Sequence, residues 1–274
     1  MVLRKAAVIG KPIEHSLSPV LHNAAYAALG LDWDYTRLEC AEADVPDLVS
    51  GLGPEWVGLS CTMPTKRAAL AFASVVTPRA SAVGAANTLV RNGSEWHADC
   101  TDVDGVVGAL REKGFSEGTN GVVLGAGGTA TAALAGLADL GVKTVSLVVR
   151  DPSRAGEALE TASRVGVEVE VLELSSVDLP LLCGAADVVV STVPAEATVP
   201  LAAALARAPY VLDVIYHPWP TPVAAAVQES GARLATGLDM LLHQAFGQVE
   251  QFTGKPAPQD VMRRALAAAL AARS

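Results

Sequence analysis

The apolar residues of this chain fall into short runs that alternate with longer, alanine-rich segments of helical spacing. Short apolar runs bounded by glycine or proline are typical of buried strands, and strands that alternate with helices predict a parallel or mixed sheet. We therefore predict an α/β fold. Strands are expected at residues 6–10, 33–38, 56–60, 121–124, 144–149, 167–172, 187–191 and 210–215. Helices are expected at 18–30, 45–49, 67–76, 104–114, 221–231 and 259–272, and a hairpin is expected to turn at Asn92 and Gly93.

One apolar run, 121–124, leads into a glycine turn and then into an alanine-rich segment that ends near Leu140. Gly125, Gly127 and Ala130 fit the G-x-G-x-x-A form of the dinucleotide fingerprint, in which backbone N–H groups and a helix N-terminus bind a pyrophosphate. A tight turn between a strand and a helix also favours glycine. Because strand, turn and helix follow in the required order, the sequence predicts a dinucleotide site at this turn.

The end of the next strand indicates which dinucleotide fits. NAD sites place an acidic residue there to bind the ribose 2′-hydroxyl, whereas an arginine accommodates a 2′-phosphate. Val149 and Arg150 occupy this end, which favours NADP. Asp151 leaves two explanations open, because it would either bind the ribose or only begin the next helix.

Two serines precede the first predicted helix. Ser18, followed by Pro19, is expected to be the N-cap of that helix. Ser16 lies two residues earlier, where a cap does not need it, and two hydroxyls at a helix N-terminus suit a carboxylate. Both explanations stay open on this pattern alone.

Five further polar residues also have a structural and a functional explanation. Lys66 follows a predicted strand end but resembles many solvated lysines at helix starts. Asn87 is either a turn residue or a ligand-binding amide, and Asp102 is either a ligand contact or an acid that favours a helix N-terminus. Tyr216 would face the ligand crevice or pack in its turn. Gln244 lies among apolar residues, so backbone or substrate must satisfy its amide.

Composition and charge narrow the function. With 274 residues, 51% of them hydrophobic, the chain is expected to form a large folded core. A net charge of -9 argues against nucleic acid or an anionic membrane as a partner, so an anionic small molecule must be held by local donors. No apolar run approaches the roughly twenty residues of a membrane span. The cysteines and histidines lack metal-ligand spacing, which predicts no metal site and reduced thiols in the cytoplasm.

Several separate stretches, taken together, resemble the shikimate dehydrogenase family along essentially the whole chain. They lie at residues 16–19, 62–66, 86–89, 101–102, 125–128, 216–222 and 237–244. Each stretch is short, but their order and spacing are specific. The resemblance implies reversible reduction of 3-dehydroshikimate to shikimate with NADPH, a step toward chorismate and the aromatic amino acids.

The same resemblance implies two domains with the active site in the cleft between them. Residues 1–103 and 237–274 would form an α/β substrate domain, to which the C-terminal helices return, and 104–236 a Rossmann-type NADP domain. It is also compatible with a homodimer.

The resemblance also implies roles for single residues. Lys66 and Asp102 would be catalytic: hydride arriving at a ketone carbon builds negative charge on oxygen, which the Lys66 ammonium stabilises or protonates while Asp102 orients it. The substrate carboxylate would contact Ser16, Ser18 and Tyr216, with Thr62 nearby in the substrate site, and the ring oxygens would contact Lys66, Asn87, Asp102 and Gln244. The cofactor would contact Gly125, Ala126, Gly127, Gly128, Thr129, Ala130, Arg150, Arg154, Thr192 and Gly237.

Two other functions compete with this interpretation. A relative that also oxidises quinate, with NAD, often has threonine at the Ser18 position, so Ser18 and Arg150 both argue against it. A non-catalytic dinucleotide-binding regulator would need neither Lys66 nor Asp102. Departures from the usual family pattern, such as Ser60 and Phe252, affect cofactor preference or affinity rather than the class of reaction.

Overall fold

A computed structural model describes residues 3–272 of the chain. It divides into two compact units: one runs up to Thr101 and resumes at Gln244, and the other runs from Asp102 to His243. The strands are β1 Arg4–Gly10, β2 Trp33–Glu39, β3 Trp56–Cys61, β4 Val75–Val76, β5 Thr88–Asn92, β6 Glu95–Asp99, β7 Asn120–Leu124, β8 Thr144–Val149, β9 Glu168–Glu173, β10 Val188–Ser191, β11 Tyr210–Asp213 and β12 Arg233–Thr236.

The helices complete the two units. They are α1 Ser18–Ala28, α2 Val45–Ser50, α3 Lys66–Phe72, α4 Pro78–Val83, α5 Asp102–Glu112, α6 Gly128–Asp139, α7 Gly156–Val165, α8 Leu179–Gly184, α9 Ala195–Thr198, α10 Ala202–Leu205, α11 Pro222–Ser230, α12 Gly237–Thr253 and α13 Gln259–Ala271. Short 3-10 turns lie at Glu42–Asp44 and Pro152–Ala155. Helix α12 begins in the second unit and ends in the first.

The first unit is built on a mixed sheet in the order β2-β1-β3-β5-β6-β4. Strand β1 runs parallel to β2 and β3, whereas β5 runs antiparallel to β3 and β6. Ile9, Leu59 and Leu89 are fully buried in this sheet. In β3, Gly58 gives room to the Phe252 ring of α12, since a Cβ at 58 would overlap that ring. The C-terminal half of α12 therefore packs directly on the sheet.

The second unit is a fully parallel sheet in the order β12-β11-β10-β7-β8-β9. Numbered along the chain from β7, this order is that of the dinucleotide-binding Rossmann fold, with its reversal between β7 and β10. Val123, Val190 and Leu147 are fully buried, as expected of strands covered on both faces. The structure thus confirms the predicted α/β class and the Rossmann-type sheet.

Three local predictions are wrong. The helix predicted at 67–76 ends at Phe72, because Val75 and Val76 instead form a strand that pairs with β6. The hairpin turns at Gly93 and Ser94, since Asn92 pairs with Glu95; Gly93 takes a φ of +62°. The third concerns the start of α1 and bears on the candidate site.

Candidate active site

The glycine turn lies between β7 and α6. Gly125 has a φ of +101°, and its N–H donates to the Val148 carbonyl at 2.9 Å. A Cβ at 125 would lie 2.5 Å from Thr192 Oγ1, so only glycine fits there. Gly127 and Gly128 are exposed, and no atom lies within 4 Å of the Cβ position of either. The first N–H groups of α6 therefore face an open approach, which suits a phosphate.

The remaining residues of this turn have distinct environments. Ala126 and Thr129 are half-buried, while Ala130 is buried and its N–H donates to the Gly127 carbonyl at 2.8 Å. Thr192 follows β10, and both its N–H and its hydroxyl donate to the Leu124 carbonyl, at 3.0 and 2.8 Å. The turn and Thr192 thus meet where the strand order reverses, the usual place of ligands in such sheets.

Two exposed arginines follow β8, which ends at Val149. Arg150 is the next residue, and Arg154 lies in the 3-10 turn. Asp151 caps that turn: its carboxylate accepts the N–H of Ser153 at 3.0 Å and the Ser153 hydroxyl at 2.6 Å. Of the two explanations for Asp151, the structure supports the one in which it begins the next helical turn.

The segment after β11 is held by a buried pair. The Thr221 hydroxyl donates to Asp213 Oδ2 at 2.6 Å, and burial raises the pKa of Asp213 despite that hydrogen bond. Tyr216 lies within the segment and is half-buried. Gly237 begins α12 and is buried against the Val214 carbonyl, which a Cβ would overlap. Close packing alone therefore requires glycine at 237.

Asp102 is the first residue of α5, and only 7% of it is exposed. The helix N-terminus favours its negative charge. Its place is thus compatible with both explanations given by the sequence, the dipole and the ligand contact.

In the first unit, the Ser16 side chain rather than that of Ser18 accepts a hydrogen bond at the start of α1. Leu17 is the N-cap residue and Ser18 the first helical residue, so the predicted Ser18 cap is wrong. The Ser16 hydroxyl accepts the Ser18 N–H at 3.3 Å. Arg37 fixes this turn by donating Nε and Nη2 to the Ser16 carbonyl at 3.1 and 2.5 Å. The hydroxyls of Ser16 and Ser18 nevertheless lie on either side of the N-cap, at a helix N-terminus that suits a carboxylate.

The loop before α3 places Lys66. Thr62 donates its N–H to Ile9 at 2.9 Å, and its carbonyl accepts the N–H and the hydroxyl of the buried Thr65, each at 2.8 Å. Lys66 then begins the helix and is half-buried. Its carbonyl accepts the N–H of Ala86 at 3.0 Å. The backbone thus joins Lys66 to the residue that precedes Asn87.

Asn87 and Gln244 are brought together by the fold. Both are buried, and Asn87 Nδ2 donates to Gln244 Oε1 at 3.2 Å. Asn87 Oδ1 accepts the N–H of Thr101 at 2.7 Å and the Thr88 hydroxyl at 2.9 Å. The Asn87 carbonyl accepts the N–H of Cys61 at 2.7 Å. A buried amide pair held on all sides is a rigid set of polar groups for a ligand.

A second set of buried polar residues, which sequence reasoning missed, lies behind this pair: His22, Tyr35, Ser60 and Gln248. Gln248 hydrogen-bonds Ser60 and lies 3.3 Å from His22 Nε2. Burial lowers the pKa of His22 to about 3, against the Gln248 hydrogen bond, which raises it. The available signal was the spacing of Gln244 and Gln248, one helical turn apart in an apolar segment.

Two other kinds of feature are absent from the described part of the chain. Among residues 3–272, no group of three or more His, Cys, Asp or Glu side chains is arranged to hold a metal ion. Over the same range, every helix is too short or too polar to cross a membrane.

The second unit is of Rossmann type and has an open glycine turn, and the first is an α/β unit with a buried amide pair. Together they define the class of dinucleotide-dependent oxidoreductases that have a separate substrate domain. The comparisons identify the family. Residues 8–89 match the model of the shikimate dehydrogenase substrate binding domain, and residues 237–267 match that of the shikimate 5'-dehydrogenase C-terminal domain.

Relatives match along nearly the whole chain. Shikimate dehydrogenase (NADP(+)) of Geobacter metallireducens is 36% identical over 280 residues, which cover 97% of each chain. Mycobacterium tuberculosis shikimate dehydrogenase, known from its crystal structure, is 53% identical in sequence to this chain. The TM-score is 0.92, and the match covers 97% of this chain and 99% of that one. The Thermus thermophilus enzyme, solved with NADP(H) and shikimate, is 29% identical, with a TM-score of 0.84 over 97% and 100%. The chain belongs to the shikimate dehydrogenase family.

Proposed function

We propose that this protein is an NADP-dependent shikimate dehydrogenase, which reversibly reduces 3-dehydroshikimate to shikimate on the route to chorismate and the aromatic amino acids. The observation that carries the proposal is the match along 97% of the chain to a relative named shikimate dehydrogenase (NADP(+)). The glycine turn of the second unit and the buried amide pair of the first support it independently.

The described residues fit the cofactor. The pyrophosphate binds at the turn that leads into α6, where a side chain on Gly127 or Gly128 would cover the helix N-terminus. The guanidinium groups of Arg150 and Arg154, both exposed, bind the 2′-phosphate, since arginine forms bidentate, charge-assisted hydrogen bonds with phosphate. Asp151 is engaged by Ser153, which removes an acidic competitor for that position. The cofactor contacts are those of residues 125–130, Arg150, Arg154, Thr192 and Gly237.

The substrate is an anion that an acidic protein binds through local donors. The hydroxyls of Ser16, Ser18 and Tyr216 bind its carboxylate, and Thr62 lies nearby in the substrate site. The amides of Asn87 and Gln244 bind ring oxygens, and their burial makes each of these hydrogen bonds stronger than one made in water.

Lys66 and Asp102 carry the proton chemistry. When bound, NADPH supplies a hydride to the ketone carbon of 3-dehydroshikimate. The ammonium of Lys66 stabilises the charge that develops on the ketone oxygen and donates the proton that completes the hydroxyl, after which solvent reprotonates the amine. The Asp102 carboxylate favours the charged form of the lysine and orients it. In the reverse direction Lys66 first releases a proton to solvent, and the neutral amine then accepts the hydroxyl proton.

The functional domains follow the same proposal. Residues 1–103 with 237–274 bind the substrate, and residues 104–236 bind NADP. A homodimer and a cytoplasmic location stay predictions. Light scattering of the purified protein tests the first, and fractionation of cells that express a tagged copy tests the second.

The experiment is a comparison of initial rates with shikimate or quinate as the substrate and NADP or NAD as the oxidant, all at saturating concentrations. Lys66→Ala, purified in the same way, measures any dehydrogenase carried over from the expression host. Turnover of shikimate with NADP far above this background is the expected result. Equal rates with quinate and NAD would assign the chain to the relatives of broader specificity, and no turnover with any pair would overturn the enzyme assignment.

A further inference from the structure

The buried amide of Gln248 has all of its hydrogen-bonding groups engaged. Gln248 is 1% exposed and lies one turn after Gln244 on α12. Its Nε2 donates to the Asn87 carbonyl and to Thr88 Oγ1, each at 3.0 Å. Because a carbonyl oxygen can only accept, the NH₂ group of Gln248 must face Asn87, and Oε1 must face the opposite side.

The opposite side supplies only donors. Ser60 Oγ donates to Gln248 Oε1 at 2.7 Å, and the Tyr35 hydroxyl in turn donates to Ser60 at 2.6 Å. His22 is neutral and has a single ring proton; because Gln248 Oε1 can only accept, this proton lies on Nε2, 3.3 Å from that oxygen, and is donated to it. Burial of Tyr35 raises its pKa and keeps its phenol protonated. The orientation of the Gln248 amide is therefore fixed from both ends.

This orientation is passed on to Asn87. Thr88 Oγ1 accepts a hydrogen bond from Gln248, so its own proton is available for Asn87 Oδ1, 2.9 Å away. The N–H of Thr101 donates to the same oxygen at 2.7 Å. With Oδ1 occupied by two donors, the side chain of Asn87 presents Nδ2 to its remaining neighbours, Thr101 Oγ1 at 3.0 Å and Gln244 Oε1 at 3.2 Å.

The last step is at Gln244. Its Oε1 accepts from Asn87 Nδ2 at 3.2 Å, so its Nε2 lies on the far side of the carboxamide. The donor-to-acceptor direction is thus the same in all of these hydrogen bonds, from Gln248 through Thr88 and Asn87 to Gln244. The last amide, that of Gln244, therefore presents N–H groups rather than a carbonyl oxygen.

We propose that Gln248 is a positioning residue of the substrate site, which acts through Asn87 to hold Gln244 as a hydrogen-bond donor to the ring oxygens of the substrate. This inference rests on the proposed function, because it takes shikimate as the ligand of these two amides. It adds Gln248 and the Thr88 hydroxyl as determinants of substrate affinity. Both act through Asn87.

Two variants of the full-length protein test the inference. Gln248→Met removes the amide at similar length, and Thr88→Val removes the relay hydroxyl from a strand that accommodates valine well. We expect each to raise the KM for shikimate about tenfold while kcat changes less than about threefold, because binding is lost equally in the ground and transition states. The KM for NADP should not change. Thr88→Ser keeps the hydroxyl and should restore the KM of the wild type.

Gln251→Met is the matched control on the same helix. Gln251 Nε2 donates to the Asp99 carboxylate at 2.7 Å, and Arg79 and Thr77 also hold that carboxylate. This variant should lose stability without a change in the KM for shikimate. A folded Gln248→Met protein with the KM of the wild type would overturn the inference, as would an equal rise in Gln251→Met.

The remaining outcomes are also decisive. If Gln248→Met does not fold, Thr88→Val decides: an unchanged KM for shikimate overturns the inference, and a raised KM that Thr88→Ser reverses supports it. An inactive wild type would overturn the proposed function first, and the inference with it. Failure of the inference alone is recognised by normal turnover in the wild type together with an unchanged KM for shikimate in Gln248→Met and Thr88→Val.

Discussion

Ser153 binds one oxygen of Asp151 twice, through its backbone N–H at 3.0 Å and through its hydroxyl at 2.6 Å. These two hydrogen bonds lower the pKa of Asp151 and commit the carboxylate to the turn after β8. The acid that would select NAD thus already accepts two hydrogen bonds from Ser153, and the exposed Arg150 lies immediately before it at the strand end. This local arrangement supports the proposal that Arg150 selects NADP.

Arg150→Ala is expected to raise the KM for NADP about tenfold and to leave the KM for NAD within about twofold, because only NADP carries the phosphate that the guanidinium binds. Arg164→Ala is the control: this exposed arginine on α7 pairs with Glu160 at 3.1 Å. Steady-state kinetics with both cofactors give the answer. Equal losses for NADP and NAD would show that Arg150 does not select the phosphate.

Lys66→Ala is expected to lower kcat at least about a hundredfold, the usual range for loss of a general acid, and to raise the KM for shikimate less than about fivefold. Arg67→Ala removes the next positive charge on α3, on an exposed residue, and should keep most of the activity. Near-normal turnover in Lys66→Ala would assign the proton transfer to another group.

Gly125→Ala is expected to raise the KM for NADP at least about tenfold, because the residue has a φ of +101° and its Cβ would lie 2.5 Å from Thr192 Oγ1. Gly166→Ala provides the comparison. Its φ is +74°, but nothing lies within 4 Å of its Cβ position. Both variants should melt at a lower temperature than the wild type, but only Gly125→Ala should weaken cofactor binding. Equal KM values for NADP in the two variants would show that the turn has no special role.

His22 is expected to make stability depend on pH. Its pKa falls from its usual 6.5 in the unfolded chain to about 3 when buried, so between these values the unfolded state binds one more proton than the folded state. Stability is therefore complete above about pH 6.5 and decreases as the pH falls, by up to about 1.4 kcal/mol per pH unit for this one group. Urea unfolding at pH 7 and at pH 5 measures the loss.

His22→Gln should reduce this pH dependence, whatever its effect on stability at pH 7. His15→Gln, on an exposed residue of the same unit, controls for the removal of a histidine. If the difference in unfolding free energy between pH 7 and pH 5 is the same in wild type and His22→Gln, the linked proton belongs to another group.

The strands and the glycine turn could be predicted because their signals are local. A buried run such as 121–124 followed by glycine has one plausible geometry, and the parallel sheet follows from the alternation of elements. The end of α3 was missed because Val75 and Val76 are apolar and continue the helical pattern of the segment. Only their pairing with His97 and Ala98, residues far along the chain, makes them a strand.

Only the motif residues of the candidate site could be predicted from the sequence. His22, Ser60 and Gln248 come from α1, β3 and α12, and no local pattern brings them together. Gln248 follows Gln244 by one turn, and this spacing did indicate a polar face in an apolar helix. What that face would meet depends on the packing of the whole first unit.

The late position of helix α12 in the sequence affects the order in which the two units can fold during synthesis. The second unit is one continuous stretch from Asp102 to His243, whereas the first needs the segment that begins at Gln244. That segment supplies the Phe252 ring against Gly58 and the helix α13 that packs on α1. A ribosome that has released only the first hundred residues has therefore released a sheet with one face covered only in part, by α1. During synthesis the Rossmann-type unit can complete its fold before the unit that precedes it in the sequence.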